Sequence, residues 1–292
     1  MFEGAHTALV TPFKEREIDE AALRKLIDAQ FDAGISGIVP CGTTGESPTL
    51  ANEEHRRVIE LAVETAAGRG LVIAGTGSNS TREAIRMTQF AEEAGADASL
   101  LVCPYYNKPS QEGLFQHYKA IAEATKLPLV LYSIPGRSGI EITVETQRRL
   151  HEACPNIKAM KEAGGDPQRV TEIREALPES YEVLSGDDAL TVPFMGRGAV
   201  GVVSVASNLI PQQLAALVQA MLEGDRAKAD EVDAACGPLF KGLLGLDTNP
   251  VPIKEALALT GTIEPRLRLP MVGLSDDKRE QLREMLETLK II

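Results

Sequence analysis

The chain has 292 residues and 43% hydrophobic content, which suffices for one large core in a single catalytic domain. Its net charge of -12, without a basic stripe, argues against a nucleic-acid partner and favours small-molecule ligands. No segment reaches the roughly 18 apolar residues of a membrane span, and the first residues lack the regions of a signal peptide. The sequence therefore predicts a cytoplasmic protein without a membrane partner.

Eight short apolar runs alternate with longer amphipathic segments. They cover residues 8–10, 37–39, 71–74, 99–102, 129–132, 157–161, 181–184 and 200–203. From the second run onward their ends lie about 20 to 35 residues apart, the length of a strand plus a returning helix. Continuous apolar strands are typical of a parallel sheet that is covered on both faces. This pattern predicts a (β/α)8 TIM barrel over residues 1–224.

The segments between these runs carry helix signals. Ser80 followed by Glu83 has capping-box spacing, and Asp166 before a proline predicts a helix start. Gly34 and Gly95 are expected to close two amphipathic helices. Three further helical patterns, 225–244, 250–259 and 275–289, predict a C-terminal helical region over residues 225–292.

The four cysteines and four histidines are scattered along the chain. They form no CxxC pair, no HExxH motif and no other zinc-ligand spacing. We therefore expect reduced, mostly buried thiols and predict no metal site.

Lys161 ends the sixth apolar run. Active sites in a TIM barrel lie at the C-terminal ends of the strands, so this lysine is predicted at the rim of the catalytic face. Burial there can keep an amine neutral and nucleophilic, as a Schiff-base enzyme requires. A solvent-reaching or ion-paired lysine is the alternative. The sequence does not show how the pKa is lowered, because the side chain of the nearby Lys158 should point to the opposite face of the strand.

The loop after the second run, residues 41–47, is rich in small residues. Its backbone N–H groups can approach a ligand closely, which predicts a carboxylate site. A plain glycine turn is the alternative, and Glu46 could equally complement the dipole of the next helix. For Asp187 and Asp188, after the seventh run, we likewise expect charges in the first turn of a helix.

Three of the five tyrosines follow the fourth and fifth runs: Tyr105, Tyr106 and Tyr132. Phenol hydroxyls can relay protons, and the nearby Arg137 suits a carboxylate. The alternatives are aromatic residues at the barrel rim and an ordinary surface ion pair.

Five motifs occur in order over nearly the whole chain: Gly-Thr-Thr-Gly-Glu-Ser (42–47), Tyr-Tyr-Asn-Lys-Pro (105–109), Tyr-x-x-Pro-Gly-Arg-Ser-Gly (132–139), Lys-Glu-Ala (161–163) and Ser-Gly-Asp-Asp (185–188). Each is moderately specific. Together they resemble the 4-hydroxy-tetrahydrodipicolinate synthase family, also called dihydrodipicolinate synthases, of the pyruvate-dependent class I aldolase/lyase superfamily. This resemblance implies a Schiff-base-forming lyase of lysine and diaminopimelate biosynthesis, with pyruvate and L-aspartate-4-semialdehyde as substrates.

The resemblance also assigns roles to individual residues. Lys161 would form an imine with pyruvate, whose carboxylate Thr44 and Thr43 would hold. Tyr132 would transfer protons, linked through Thr43 to a Tyr106 that reaches in from a neighbouring subunit. The remaining substrate-binding residues would be Arg137 for the carboxylate of aspartate semialdehyde, with Gly186 and Val203 along the pocket. No cofactor is implied, because the imine is the electron sink, and a homotetramer built as a dimer of dimers is expected.

A possible lysine effector site is also implied by the resemblance, at Ser47, His55, Asn79, Glu83 and Tyr105. Asn52 stands where the family often has histidine or lysine, and Pro48 replaces a small residue. We therefore predict weak or absent inhibition by lysine, which half-inhibition at submillimolar lysine would contradict.

Three alternatives stay open. An N-acetylneuraminate lyase or a 2-keto-3-deoxy sugar-acid aldolase of the same superfamily would share Lys161, Tyr132 and the 42–46 loop. Arg137 separates these from the main interpretation, because the sugar-acid enzymes generally lack it. A non-catalytic keto-acid or lysine sensor is more remote, since the lysine and both tyrosines are intact. Two departures from the synthases are mild: Ser133 for asparagine and Val203 for isoleucine.

Overall fold

Eight parallel strands close into a barrel in the computed structural model, which describes residues 1–292. Each strand pairs with its neighbours in chain order, and the first pairs with both the second and the eighth. The strands are Gly4–Ala8, Gly37–Val39, Leu71–Gly75, Ala98–Val102, Leu129–Ser133, Ile157–Glu162, Glu182–Ser185 and Gly201–Ser204. The predicted TIM barrel is confirmed.

A helix follows each barrel strand: Glu20–Asp32, Asn52–Ala66, Thr81–Ala94, Gln111–Glu123, Val144–Ala153, Gln168–Ala176, Thr191–Met195 and Pro211–Leu222. A one-turn helix, Pro135–Ser138, and a two-stranded hairpin, Phe13–Lys14 with Glu17–Ile18, lie in the loops. Three C-terminal helices follow, Arg226–Leu246, Val251–Leu259 and Asp276–Thr288, close to the three helical patterns in the sequence. None of the helices has both the length and the apolar character needed to cross a bilayer.

The first strand lies earlier in the chain than the sequence pattern predicts. It runs over Gly4–Ala8, so that Leu9 and Val10 follow it instead of forming it. Two polar side chains interrupt the apolar pattern inside this strand. His6 Nε2 lies 2.8 Å from Phe2 O, and Thr7 Oγ1 donates to Gln30. Because both side chains are buried and hydrogen-bonded, the strand tolerates them, and a search for apolar runs misses it.

The predicted capping box at Ser80 does not form. Ser80 precedes the helix, but its side chain caps no backbone N–H group. The Glu83 carboxylate instead accepts a hydrogen bond from Ser78 Oγ at 2.5 Å. The predicted ends at Gly34 and Gly95 are confirmed, and both glycines have positive φ.

Two apolar layers build the core. The larger one fills the space between the strands and the surrounding helices, and a smaller one fills the barrel interior beneath the carboxyl ends of the strands. The second C-terminal helix is buried on all sides from Val251 to Leu257, including Lys254 and Glu255. A helix buried all round is a core element, so this helix joins the larger apolar layer around the barrel.

Candidate active site

A cavity of about 140 Å³ opens at the carboxyl ends of the barrel strands. It brings together residues from the second, fifth, sixth and seventh strand ends, although these are far apart in the sequence. Six of the eight predicted catalytic and substrate-binding residues line it: Thr43, Thr44, Tyr132, Arg137, Lys161 and Gly186. Leu244 and Asn249 of the C-terminal region complete the wall.

Lys161 lies near the end of the sixth strand and is 7% exposed. Burial lowers the pKa of its amine to about 8; Asp188 opposes this shift and Arg137 adds to it. Desolvation is therefore the cause that the sequence did not reveal, because a buried ammonium loses its hydration. Lys158 is exposed, lies where the pairing of the fifth and sixth strands shifts register, and is absent from the cavity wall. An amine with this pKa is available as a nucleophile near neutral pH.

Tyr132 is the direct strand neighbour of Lys161. Its ring centroid lies 4.2 Å from Lys161 Nζ, so the phenol and the amine share the floor of the cavity. Burial raises the pKa of Tyr132 to about 12, against the opposing effects of Arg137 and of the Thr43 hydroxyl. The phenol is consequently protonated at neutral pH and can donate a proton beside the amine.

The carboxylate loop, residues 42–47, folds into two tight turns. The N–H of Gly45 donates to Gly42 O, and the N–H of Glu46 donates to Thr43 O. The N–H groups of Thr43 and Thr44 donate to no acceptor within the chain, although both residues line the cavity. Two backbone donors without acceptors beside a buried amine have the chemistry that an anion site requires.

Glu46 directly precedes a single turn of 3-10 helix, Ser47–Thr49, but its side chain caps no backbone N–H group there, and the next α-helix begins only at Asn52. The carboxylate of Glu46 is buried and contacts Lys254 Nζ at 2.5 Å. The interpretation of Glu46 as a charge that complements a helix dipole is therefore wrong. The partner lies more than 200 positions further along the chain, so that no local pattern indicates it.

A single turn of 3-10 helix covers Asp188–Leu190, and Asp187 caps it by accepting a hydrogen bond from the N–H of Ala189 at 2.9 Å. Asp188 lies in the first turn of this helix, as expected, and its buried carboxylate also accepts from the N–H groups of Val205 at 3.0 Å and Ala206 at 2.9 Å. Asp188 thereby ties the loop after the eighth strand to the loop after the seventh. Its charge also raises the pKa of Lys161, against the larger effect of burial.

Arg137 lies in the one-turn helix after the fifth strand, and its guanidinium donates to Asn249 O at 3.0 Å. The side chain of Asn249 donates to Thr44 Oγ1 at 2.9 Å, and its own Oδ1 is buried without a partner. Asn249 thus connects both predicted carboxylate anchors. The sequence reasoning missed it, because an Asn-Pro pair between two helices indicates only a turn.

Two predicted residues lie outside the cavity wall. Val203 is buried in the apolar layer inside the barrel. Tyr106 is 90% exposed and has a φ of 72°, and it is absent from the wall. Within one chain, the hydroxyl of Tyr106 therefore does not lie beside the other predicted site residues.

A second cavity of about 430 Å³ lies beside the first, and Thr43, Ile134 and Arg137 line both. Four of the five predicted effector residues line it: Ser47, His55, Glu83 and Tyr105. Asn79 does not; its amide donates to Tyr105 O at 3.1 Å. Burial lowers the pKa of His55, whose Nε2 lies 2.8 Å from Gly75 O.

Gly186 leaves room for the side chain of Lys161. A Cβ atom at this position would lie 2.6 Å from Ala163 Cβ and 3.2 Å from Lys161 Cε. We expect Gly186→Ala to displace the amine and to lower the catalytic efficiency, kcat/KM, by about 10- to 100-fold, as misplaced reacting groups do. Steady-state kinetics measure this effect. In the control Gly237→Ala, on a C-terminal helix, a Cβ meets nothing within 4 Å, and activity should be unchanged. Equal activity of the two variants would contradict the expected contact.

Comparison with known proteins places the whole chain in one group. The family model described as the dihydrodipicolinate synthetase family matches residues 1–289. The 4-hydroxy-tetrahydrodipicolinate synthase of Aquifex aeolicus is 49% identical over 287 residues, which cover 98% of this chain and 97% of the relative. The synthase structure from the methanotroph Methylacidiphilum fumariolicum SolV has a TM-score of 0.98 and 50% identity, covering 99% of this chain and 96% of that one. A chloride-inhibited synthase from Acinetobacter baumannii complexed with pyruvate has a TM-score of 0.97 and 43% identity, with full coverage of both chains.

Proposed function

The chain belongs to the dihydrodipicolinate synthetase family and is an enzyme with 4-hydroxy-tetrahydrodipicolinate synthase activity, and we propose that it works through an imine on Lys161. The observation that carries this proposal is the buried amine of Lys161, with its pKa lowered to about 8, beside the protonated phenol of Tyr132. An amine of this kind is the group that attacks a ketone at neutral pH.

The reaction begins when Lys161 Nζ attacks the ketone carbon of pyruvate. Loss of water gives the imine, and loss of a methyl proton gives an enamine. The enamine carbon attacks the aldehyde carbon of L-aspartate-4-semialdehyde, which forms the carbon–carbon bond and leaves a hydroxyl. The amine of the substrate then attacks the imine carbon and expels Lys161, which closes the ring and releases 4-hydroxy-tetrahydrodipicolinate for lysine and diaminopimelate synthesis. The imine serves as electron sink throughout, so that no cofactor takes part.

The two substrate carboxylates bind to different groups of the cavity wall. The free N–H groups of Thr43 and Thr44 hold the carboxylate of pyruvate, which is supported by their lack of other acceptors. Arg137 holds the carboxylate of aspartate semialdehyde, and its guanidinium is already oriented by Asn249 O. Gly186 shapes the remaining wall, and Val203 contributes to the apolar layer inside the barrel.

Tyr132 moves the protons that imine formation and enamine attack require. Its raised pKa keeps a proton available, and Thr43 links it to Tyr106 of a neighbouring subunit. The exposure of Tyr106 in the single chain supports this arrangement, since a partner subunit can receive the side chain. We therefore propose a homotetramer, built as a dimer of dimers, as the active species.

An assay that offers the two condensation substrates and, in parallel, the sugar acids tests the proposed activity. The enzyme is expected to consume pyruvate with L-aspartate-4-semialdehyde and to leave N-acetylneuraminate and 2-keto-3-deoxy sugar acids uncleaved, because Arg137 faces the second substrate. Clear cleavage of a sugar acid without condensation would assign the chain to the aldolase branch instead.

The second cavity is proposed as the lysine effector site. Its lining residues Ser47, His55, Glu83 and Tyr105 support binding of an amino acid. The two cavities share part of their walls, which offers a way for bound lysine to affect the active site. Asn52 and Pro48 also line it, at the two positions that depart from the family pattern. Weak or absent inhibition by lysine therefore stays the prediction, to be checked by titrating lysine into the condensation assay.

The rate of imine formation should follow the titration of Lys161. With a pKa of about 8, roughly one amine in ten is neutral at pH 7. Because only the neutral amine attacks, kcat/KM for pyruvate should rise about tenfold per pH unit at low pH and level off above about pH 8. Steady-state kinetics from about pH 6 to 9 give the profile, and a flat profile below pH 8 would contradict this assignment.

A further inference from the structure

We propose that Lys254, in the C-terminal helical region, is a positioning residue for the pyruvate-binding loop, acting through its buried ion pair with Glu46. The inference rests on the proposed function of residues 42–47 and adds a residue outside every motif of the barrel. It gives the C-terminal region a part in substrate binding as well as in packing.

The contacts of Lys254 converge on the base of this loop. Its Nζ lies 2.5 Å from Glu46 Oε1 and donates to Thr11 O at 2.8 Å. Thr11 in turn donates through its hydroxyl to Gly45 O at 2.7 Å. One ammonium group therefore holds the loop both directly, through Glu46, and indirectly, through Thr11.

The pair is closed to solvent. The side chains of Lys254 and Glu46 are 1% and 2% exposed. The ring of Phe13 covers the ammonium, with its centroid 4.2 Å from Lys254 Nζ. The second carboxylate oxygen of Glu46 accepts from the backbone N–H of Arg268 at 3.0 Å. Screening by water and salt is thus weak, and the geometry of the pair is fixed.

Glu46 adopts a backbone conformation that needs support. Its φ of 54° lies in the left-handed region, which a residue with a Cβ atom occupies at a cost. Such a conformation persists when neighbouring contacts determine it, and Glu46 directly follows the turn that presents Thr43 and Thr44 to the cavity. The ion pair therefore fixes the turn in the form that leaves the N–H groups of these two threonines free.

A role in stability alone accounts less well for these charges. Well-packed apolar residues often stabilise a protein as much as a buried ion pair does, because desolvation of the two charges offsets their attraction. Apolar residues, however, offer no hydrogen bond to Thr11 O and no directional contact with Glu46. Stability and loop position can therefore be separated by replacing both charged residues together.

The experiment traps the imine with cyanoborohydride at increasing pyruvate concentrations and measures the modified fraction by mass spectrometry. Four proteins are compared: the wild type, Lys254→Met, the double variant Glu46→Gln/Lys254→Met, and Lys278→Met. Lys278 is the matched control, because it lies on another C-terminal helix and its exposed ion pair with Asp247 includes no residue of the loop. Thermal unfolding of each protein is recorded in parallel.

Lys254→Met should raise the half-saturating pyruvate concentration about tenfold and change the trapping rate at saturation less than about threefold, because a misplaced loop weakens binding and leaves the amine intact. Relative to Lys254→Met, the double variant should regain much of the lost unfolding temperature. Its half-saturating pyruvate concentration should stay raised. Lys278→Met should match the wild type. If Lys254→Met does not fold, the double variant carries the test.

Wild-type half-saturation in folded Lys254→Met would overturn the inference. Recovery of both stability and pyruvate half-saturation in the double variant would also overturn it, since the pair would then serve stability only. Failure of the proposed function itself is distinct, because the wild type would then show no pyruvate adduct at Lys161 at all.

Discussion

Replacing Lys161 by methionine is expected to lower kcat by about 10³-fold or more, as removal of a covalent nucleophile does. Methionine keeps the apolar stem and removes the amine that forms the imine. Because the amine is buried, its loss also removes a desolvation cost, so that thermal stability should be unchanged or higher. Activity and stability are thus expected to move in different directions.

Lys158→Met is the matched control for this variant. Lys158 belongs to the same strand, is exposed and lies outside the cavity wall, so that kcat should stay within about twofold of wild type. Both variants are measured in the coupled condensation assay and by thermal unfolding. Retention of more than about one-tenth of the activity by folded Lys161→Met would contradict the covalent mechanism.

Tyr132→Phe is expected to lower kcat by about 10²- to 10⁴-fold, the usual contribution of a general acid or base. The ring that packs 4.2 Å from Lys161 Nζ is retained, and only the proton donor is lost. Binding of pyruvate should change little, because the carboxylate donors lie on the 42–47 loop. The expected result is a fall in kcat with a nearly unchanged KM for pyruvate.

Tyr118→Phe provides the comparison for Tyr132→Phe. Tyr118 is fully buried in the layer between strands and helices, and its hydroxyl contacts only the thiol of Cys103. Loss of this hydroxyl should leave kcat and stability close to wild type, since only a weak contact with sulfur is lost. Equal activities of the two variants would exclude the Tyr132 phenol as the group that transfers protons.

The barrel could be predicted from the sequence because its strands are buried on both faces and read as apolar runs. The first strand is the exception: His6 and Thr7 are satisfied by partners that the sequence cannot show. The fold in turn placed Lys161 and Tyr132 at one end of the barrel. Their direct pairing on adjacent strands follows from the register, which loop lengths alone do not give.

What the sequence could not reveal depends on contacts between distant segments. Asn249 and Lys254 reach the pyruvate loop from more than 200 residues away, and no local pattern marks either. Asp188 lies in the first turn of a helix, as the sequence predicts, but its two backbone partners lie in the loop after the eighth strand and no local pattern indicates them. The lowered pKa of Lys161 has the same origin, since burial is a property of the whole fold.

The Schiff-base mechanism is tested most directly by trapping the pyruvate adduct. The enzyme is incubated with pyruvate and borohydride, digested, and mapped by mass spectrometry. We expect one reduced pyruvate adduct, on the peptide that contains Lys161, and none on the same peptide of Lys161→Met. An unmodified Lys161 peptide in a folded, active enzyme would contradict the imine mechanism.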